Sequence, residues 1–135
     1  MAGYSATPLW KKLGLKPEIV AVAEAQPEDY LALLTLPEDF LVTWKLKVSG
    51  ETQLVHIFER KLSKLSARLA KLRVAIRSDC AIWVSWPKKT SKVETDITED
   101  RIRDVALPMG LMDIKVCAVS DTWSGLKLMI RKDLR

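Results

Sequence analysis

The chain alternates between short apolar runs and longer stretches in which apolar residues recur every three or four positions. Four runs are rich in β-branched residues and predict strands covered on both faces. They lie at residues 18–25, 40–46, 53–58 and 80–86. Regularly spaced leucines predict a long helix over 61–77, and an apolar face from Ile102 to Met109 predicts a second helix, capped by Asp96 or Thr98.

Shorter elements complete the pattern. Residues 7–15 predict a short helix that ends near Gly14, and Pro27 suits the first position of another short helix through Leu34. A closing antiparallel hairpin is predicted, with Gly125 in its turn. Its two strands are expected at 113–119 and 126–130. Strands that alternate with helices imply an α/β sandwich of three layers around a mainly parallel sheet.

The bulk composition sets the limits of this picture. With 135 residues, 48% of them hydrophobic, the chain is expected to form a single domain over 1–135, with 1–17 as an N-terminal helical segment. A monomer or a small homo-oligomer is expected. No apolar run approaches the length of a membrane span and no secretory signal begins the chain, so a cytoplasmic location without membrane association is expected.

Charge and reactive side chains give few functional signals. The net charge of +5 favours anionic partners. Cys80 and Cys117 fall within predicted strands, where a thiol behaves as a small buried hydrophobe. His56 is the only histidine and is expected to be a hydrogen-bonded core residue, and Ser85 has no evident histidine partner. No catalytic residue and no metal site are predicted.

The second half of the chain resembles a known family. A strand at 54–58, a long helix, Ser78 and Asp79, a strand ending at Trp86, a helix and a closing hairpin follow one another over about 53–132. This order is similar to the back half of a class I S-adenosylmethionine-dependent methyltransferase, whose sheet closes with an antiparallel last strand. The resemblance implies a Rossmann-like fold.

The whole chain also resembles a bacterial family that is known only as a domain of unknown function. The motifs that carry this likeness lie at 3–5, 7–9, 11–14, 83–89 and 122–127. The resemblance supports the architecture, and it implies no activity, substrate or catalytic residue.

The methyltransferase resemblance implies a cofactor site that the sequence only partly supplies. A glycine-rich turn is needed after the first strand, and an acid is needed after the second to bind the ribose. The first place holds Glu24, Ala25, Gln26 and Glu28, and basic residues follow the second strand. Glu24, Gln26 and Glu28 are the candidate residues if S-adenosylmethionine or another nucleotide binds. Otherwise no cofactor is predicted.

Two tryptophan motifs are the preferred ligand sites. Trp86, Lys88 and Lys89 end a predicted parallel strand, where open α/β sheets place ligands, and stacking plus charge suits an anion or a nucleobase. In the other interpretation this motif has no ligand: the indole of Trp86 packs in the core, and the two lysines are solvated. Trp123 and Ser124 lie in the predicted hairpin loop, either as ligand contacts or as packing.

The long helix carries a basic face. Lys61, Lys64, Arg68 and Lys71 are its candidate anion-binding residues, for phosphate contacts or simply as a solvated face. The leading interpretation is a non-catalytic binding domain whose partner is a protein or an anionic small molecule. A divergent transferase and weak nucleic-acid binding through this helix are the alternatives.

Overall fold

The structure is a computed structural model, and it describes residues 7–135. The sequence motif at 3–5 lies outside the described residues. Within residues 7–135, four α-helices and six strands form in the predicted order. The helices are α1 (Leu9–Leu13), α2 (Tyr30–Leu34), α3 (Leu62–Ala75) and α4 (Glu99–Ala106). The strands are β1 (Val20–Glu24), β2 (Thr43–Trp44), β3 (Leu54–Phe58), β4 (Ala81–Pro87), β5 (Leu111–Ala118) and β6 (Trp123–Ile130).

All six strands join one sheet in the order β2-β1-β3-β4-β6-β5. The first four strands are parallel, while β6 runs antiparallel to both β4 and β5. One apolar core lies between the sheet and α3 and α4, and a second lies between the other face and α1 and α2. The expected three-layer α/β fold with an antiparallel C-terminal strand is confirmed.

Burial explains the most apolar stretches of the chain. Every residue of β3 and β4 is buried, because helices cover both faces of these two central strands. The edge strand β2 has only two residues, far fewer than the predicted seven-residue run. Leu41 and Leu46, which flank it, are 74% and 97% exposed. Their apolar character does not reflect burial in the sheet.

The closing hairpin differs from the prediction. Strand β6 begins at Trp123, so Ser124 and Gly125 belong to the strand rather than to a loop. The turn is closed by Ser120, whose Oγ accepts hydrogen bonds from the backbone N–H groups of Thr122 and Trp123, each at 3.1 Å. Because a side chain makes this turn, no glycine is needed there.

Asp96 and Thr98 are the two candidate N-cap residues of α4, and in the structure they cap different helices. Thr98 caps α4 and accepts a hydrogen bond from the backbone of Arg101 at 3.2 Å. Asp96 instead accepts a hydrogen bond from the backbone N–H of Leu62 at 2.7 Å, at the start of α3. The side chain of Lys61, the N-cap residue of α3, makes no capping bond.

A buried polar network crosses the core on the α1 and α2 side. Tyr30 Oη lies 2.8 Å from Nδ1 of His56, and Nε2 of His56 lies 2.8 Å from Oγ of Ser85. His56 is therefore the hydrogen-bonded core residue that the sequence predicts. The expectation that Ser85 lacks a histidine partner is wrong, because neighbouring strands bring the two side chains together. Both are fully buried, so this pair has no access to a substrate.

Burial lowers the pKa of His56 to about 3 and raises the pKa of Tyr30. The imidazole therefore stays neutral at physiological pH. Among residues 7–135, no helix has the length and apolar composition needed to cross a bilayer.

Replacing Gly110 by alanine should lower the stability of the fold. Gly110 has a φ of 84° at the end of the short helix that follows α4, and an added Cβ would lie 2.6 Å from Cδ1 of Leu134. A left-handed conformation costs a residue with a side chain about 1 to 2 kcal/mol. Urea unfolding should show a loss of that size, whereas Gly50→Ala, with open space around its Cβ, should show none. Equal effects of the two substitutions would contradict this account.

The stability of the fold should fall as the pH drops through the titration of His56. Its pKa is about 3 in the folded protein, against an ordinary value of 6.5, so between these values the unfolded chain binds the extra proton. The free energy of unfolding then changes by up to about 1.4 kcal/mol per pH unit. In urea unfolding at a series of pH values, His56→Gln should give a shallower slope in this window than the wild type. The same slope in both proteins would refute the assignment.

Candidate functional site

The parallel strands β1, β3 and β4 end at one edge of the sheet, which we call the carboxyl edge. The antiparallel strand β6 begins there. Trp86 pairs with Ser124 across β4 and β6, and the backbone N–H of Lys88 donates to the carbonyl of Thr122 at 2.8 Å. The motifs around Trp86 and Trp123 are therefore adjacent, at the edge where open α/β sheets bind ligands.

Trp86 itself does not offer a ring face to a ligand. It is 7% exposed and packs in the core beneath α3 and α4. The expected stacking role needs correction, because helices cover both faces of β4 and neither face leaves an indole open to solvent. Lys88 is half-buried and Lys89 is exposed beyond the end of this strand, and their role in anion binding stays a prediction.

Trp123 belongs to an aromatic cluster behind the carboxyl edge. Its ring meets Phe58 edge-on at a centroid distance of 5.0 Å, and Phe58 stacks on His56 at 4.4 Å. Tyr30 meets Phe58 edge-on at 5.6 Å. Trp123 and Ser124 are half-buried, so packing accounts for most of the indole surface. A contact between their exposed atoms and a ligand stays a prediction.

An arginine bridges the ends of β1 and β3. Nη2 of Arg68, in α3, lies 3.1 Å from Oε1 of Glu24, and Nη1 lies 3.3 Å from Oε1 of Glu59. Nη1 also donates to the carbonyl of Phe58 at 2.8 Å. We call this arrangement the Arg68 bridge. Arg68, an anion-binding candidate from the sequence, thus has its charge paired within the protein. Glu24, one of the three cofactor candidates, is one of its partners.

The electrostatics of Glu59 fit this bridge. Partial burial by itself raises the pKa of Glu59, but hydrogen bonds from the backbone N–H groups of Arg60 and Lys61, together with the charge of Arg68, outweigh it. The pKa of Glu59 is therefore lowered. The carboxylate is ionised at neutral pH and holds the guanidinium in place.

The Arg68 bridge lies at the topological switch point of the sheet. From β1 the chain continues to β2 on one side, and β3 pairs with β1 on the other. A crevice opens at such a point in doubly wound folds, and ligands bind there. Here the guanidinium and the two carboxylates lie at the ends of the paired strands β1 and β3. The turn after β1 also carries Ala25 in a left-handed conformation, with a φ of 58° that favours glycine.

An open groove lies beside the bridge, at the ends of β1 and β2. We call it the β1–β2 groove, and its volume is about 420 Å³. It is lined by Ala23, Gln26, Pro27, Glu28, Tyr30, Leu31, Trp44, Lys45 and Leu46. Two of the cofactor candidates, Gln26 and Glu28, thus lie together in it. Most of the other lining side chains are apolar or aromatic, as is typical of small-molecule sites.

Sequence patterns alone miss the apolar residues of this groove. Trp44 and Leu46 are part of the apolar run that predicts a longer second strand, and Leu31 is part of a predicted helix. In the structure Leu31 is 63% exposed, and Leu46 lies beyond the end of β2. The one local signal is the alternation of Trp44, Lys45, Leu46 and Lys47 at the end of the run, and this alternation does not show which of the apolar side chains are exposed.

Glu24 lines a second groove, of about 350 Å³, together with Arg68 and Lys71. Elsewhere on α3, Nε of Arg73 donates to the carbonyl of Met109 at 2.9 Å, and Arg77, two residues beyond the end of α3, pairs with Asp79. Both arginines of α3 thus have partners within the protein. Its basic face is reduced to the exposed residues Lys61, Lys64 and Lys71. Within residues 7–135, no three His, Cys, Asp or Glu side chains lie close enough together to hold a metal ion.

Comparison with known proteins supports the fold. No family model and no curated sequence matches the chain. An O-methyltransferase from neocarzinostatin biosynthesis, in complex with S-adenosylmethionine and a naphthoic acid, is similar with a TM-score of 0.64 and 14% identity. The match covers 96% of this chain and 51% of that one. The mitomycin 7-O-methyltransferase gives a TM-score of 0.64 at 9% identity, covering 84% of this chain and 49% of that one.

A shorter enzyme is similar over nearly its whole length. An S-adenosylmethionine-dependent methyltransferase from Aquifex aeolicus gives a TM-score of 0.59 at 12% identity, with 90% of this chain and 87% of that one covered. The chain thus spans about half the length of the first two methyltransferases and most of this one. At such identities the likeness shows the fold alone. The chain has the fold of the class I methyltransferases.

Proposed function

We propose that the chain is a non-catalytic ligand-binding domain on a methyltransferase-like fold, and that it takes a small molecule with an apolar, aromatic body in the β1–β2 groove. The Arg68 bridge is the observation that carries this proposal. It fills the switch point with the side chains of the protein itself, and it leaves the adjacent groove open. The β1–β2 groove can therefore take a ligand, whereas the usual place of a cofactor is occupied by the Arg68 bridge.

The residues present do not fit S-adenosylmethionine in the arrangement that the fold family implies. The turn after β1 has Ala25 where backbone approach requires glycine, and Lys45 follows β2 where an acid would bind the ribose. Arg68 occupies the ends of β1 and β3. No step of group transfer is assigned to this site.

The chemistry of the groove defines the ligand class. Leu31, Trp44 and Leu46 offer an apolar surface on which a flat ring gains contact area, and burying such a surface is worth about 25 cal/mol per Å². Glu28 and Lys45 lie in the same lining and can fix the orientation of polar substituents. The expected ligand is thus an aromatic compound with a few polar groups.

Binding of a fluorescent aromatic anion tests the groove. Anilinonaphthalene sulfonate should bind the wild type saturably, and Leu46→Ser should weaken binding about tenfold, because a buried leucine contributes about 1.5 to 3 kcal/mol. Leu46 is 97% exposed, so its replacement should leave the stability of the fold unchanged.

Leu41→Ser is the matched control for this experiment. Leu41 is also exposed, at 74%, and it does not line the groove. It should bind the probe with the affinity of the wild type. Equal losses in the two variants would mean that the probe adheres to exposed leucines in general, and the groove would lose its support.

A divergent transferase is the second candidate, and the likeness to methyltransferase structures with bound S-adenosylmethionine favours it. Isothermal titration calorimetry of the wild type with S-adenosylmethionine and S-adenosylhomocysteine separates the two proposals. No saturable heat is expected. Saturation at one molecule per chain would overturn the non-catalytic proposal and favour the transferase. Leu31→Ser would then show whether the cofactor lies in the β1–β2 groove, because Leu31 lines this groove and not the second one, whereas Leu46 lines both.

A further inference from the structure

Five lysines surround α1 on the face of the sheet opposite to α3. Lys11 and Lys12 belong to α1, and Lys16 follows it closely. Lys115 and Lys127 come from β5 and β6, where they face each other in the strand pairing. We call this group the α1 lysine surface. Sequence patterns give no hint of it, because its members come from three distant segments of the chain.

Two shallow grooves give this surface its shape, and α1 borders both. Lys11, Lys12 and Lys115 line the first groove, with a volume of about 390 Å³. Lys16 and Lys127 line the second, with a volume of about 330 Å³. The positive charges therefore lie along both sides of a helix rather than at a single point.

The charges of the α1 lysine surface are not neutralised by the described part of the protein. None of its five lysines forms an ion pair there, although Arg68, Arg77, Arg103 and Arg131 all do. Asp79 is the one acid among the described residues that line the two grooves, and it pairs with Arg77.

Two of these lysines are held close to one another. Lys127 is half-buried, and burial together with the charges of Lys115 and Lys16 lowers its pKa. Nζ of Lys115 lies 6.0 Å from the ring centroid of Trp83, within the range of a cation–π contact. Like charges thus repel one another across the surface, and an anion bound there would relieve the repulsion.

The lining of the grooves narrows the class of anion. Their described residues include no aromatic side chain for stacking on a base and no arginine for forked recognition of a carboxylate or phosphate. They also lack the aromatic and arginine anchors typical of protein interfaces. Lysines arranged as separate point charges suit the regularly spaced phosphates of a nucleic acid backbone.

We propose that the α1 lysine surface binds the phosphate backbone of a nucleic acid without reading its sequence. This surface is separate from the β1–β2 groove, so the inference is independent of the proposed ligand. It also moves the nucleic-acid contact away from α3, whose two arginines are engaged within the protein.

Fluorescence anisotropy with a labelled DNA duplex two helical turns long tests the proposal. The triple variant Lys12→Gln, Lys16→Gln, Lys115→Gln should bind at least about tenfold more weakly than the wild type at low salt. The slope of log affinity against log salt should become shallower by up to about 2.7, since each phosphate contact contributes about 0.9. Lys115→Gln alone should remove about 0.9 of the slope, which keeps the test valid if the triple variant is unstable.

The matched control is Lys61→Gln, Lys64→Gln, Lys71→Gln, which removes the same charge from the exposed face of α3. It should keep most of the affinity and the slope of the wild type. Equal or larger losses in this control would overturn the proposal and return the contact to α3. Lack of duplex binding by the wild type at low salt would overturn it as well. Tighter binding of poly-glutamate than of the duplex would assign the surface to an acidic protein instead.

Discussion

Burial of the central strands on both faces is the constraint on which this structure depends. Strands β3 and β4 have no exposed residue, so their sequences are almost entirely apolar and each polar side chain within them must be satisfied internally. The chain formed by Tyr30, His56 and Ser85 is the result. The same constraint buries Trp83 and Trp86, and it leaves ligand contacts to the ends of strands and to the two outer edges.

Much of the architecture follows from the sequence because it depends on local patterns. The leucine spacing of α3 indicates a helix, and the continuous apolar runs of β3 and β4 indicate buried strands. The prediction of strands and turns fails where a residue has the expected type but lies in a different environment. Leu41 and Leu46 extend the apparent second strand although they are exposed, and Gly125 suggests a turn although it lies inside β6. A Cβ at Gly125 would lie 3.3 Å from the ring of Trp83, so its smallness serves packing.

The candidate site was less predictable because it depends on pairs that are distant in the sequence. The sequence places Glu24 and Arg68 in two different candidate sites and gives Glu59 no role. The parallel pairing of β1 with β3, and the return of α3 over them, bring the three charges together. The same holds for the α1 lysine surface, where strand register places Lys115 opposite Lys127. Composition reveals the net charge, and only the topology reveals which charges remain unpaired.

The capping of α3 has a consequence for how the chain folds. Asp96, which bonds to the N–H of Leu62, lies 34 positions further along the chain, and Thr95 Oγ1 donates to the carbonyl of Arg60 at 2.6 Å. The start of the longest helix therefore takes part of its stability from a segment far along the chain, because Asp96 satisfies an N–H that the helix itself leaves without a partner. A substitution at Asp96 would thus weaken α3 as well as the segment before α4.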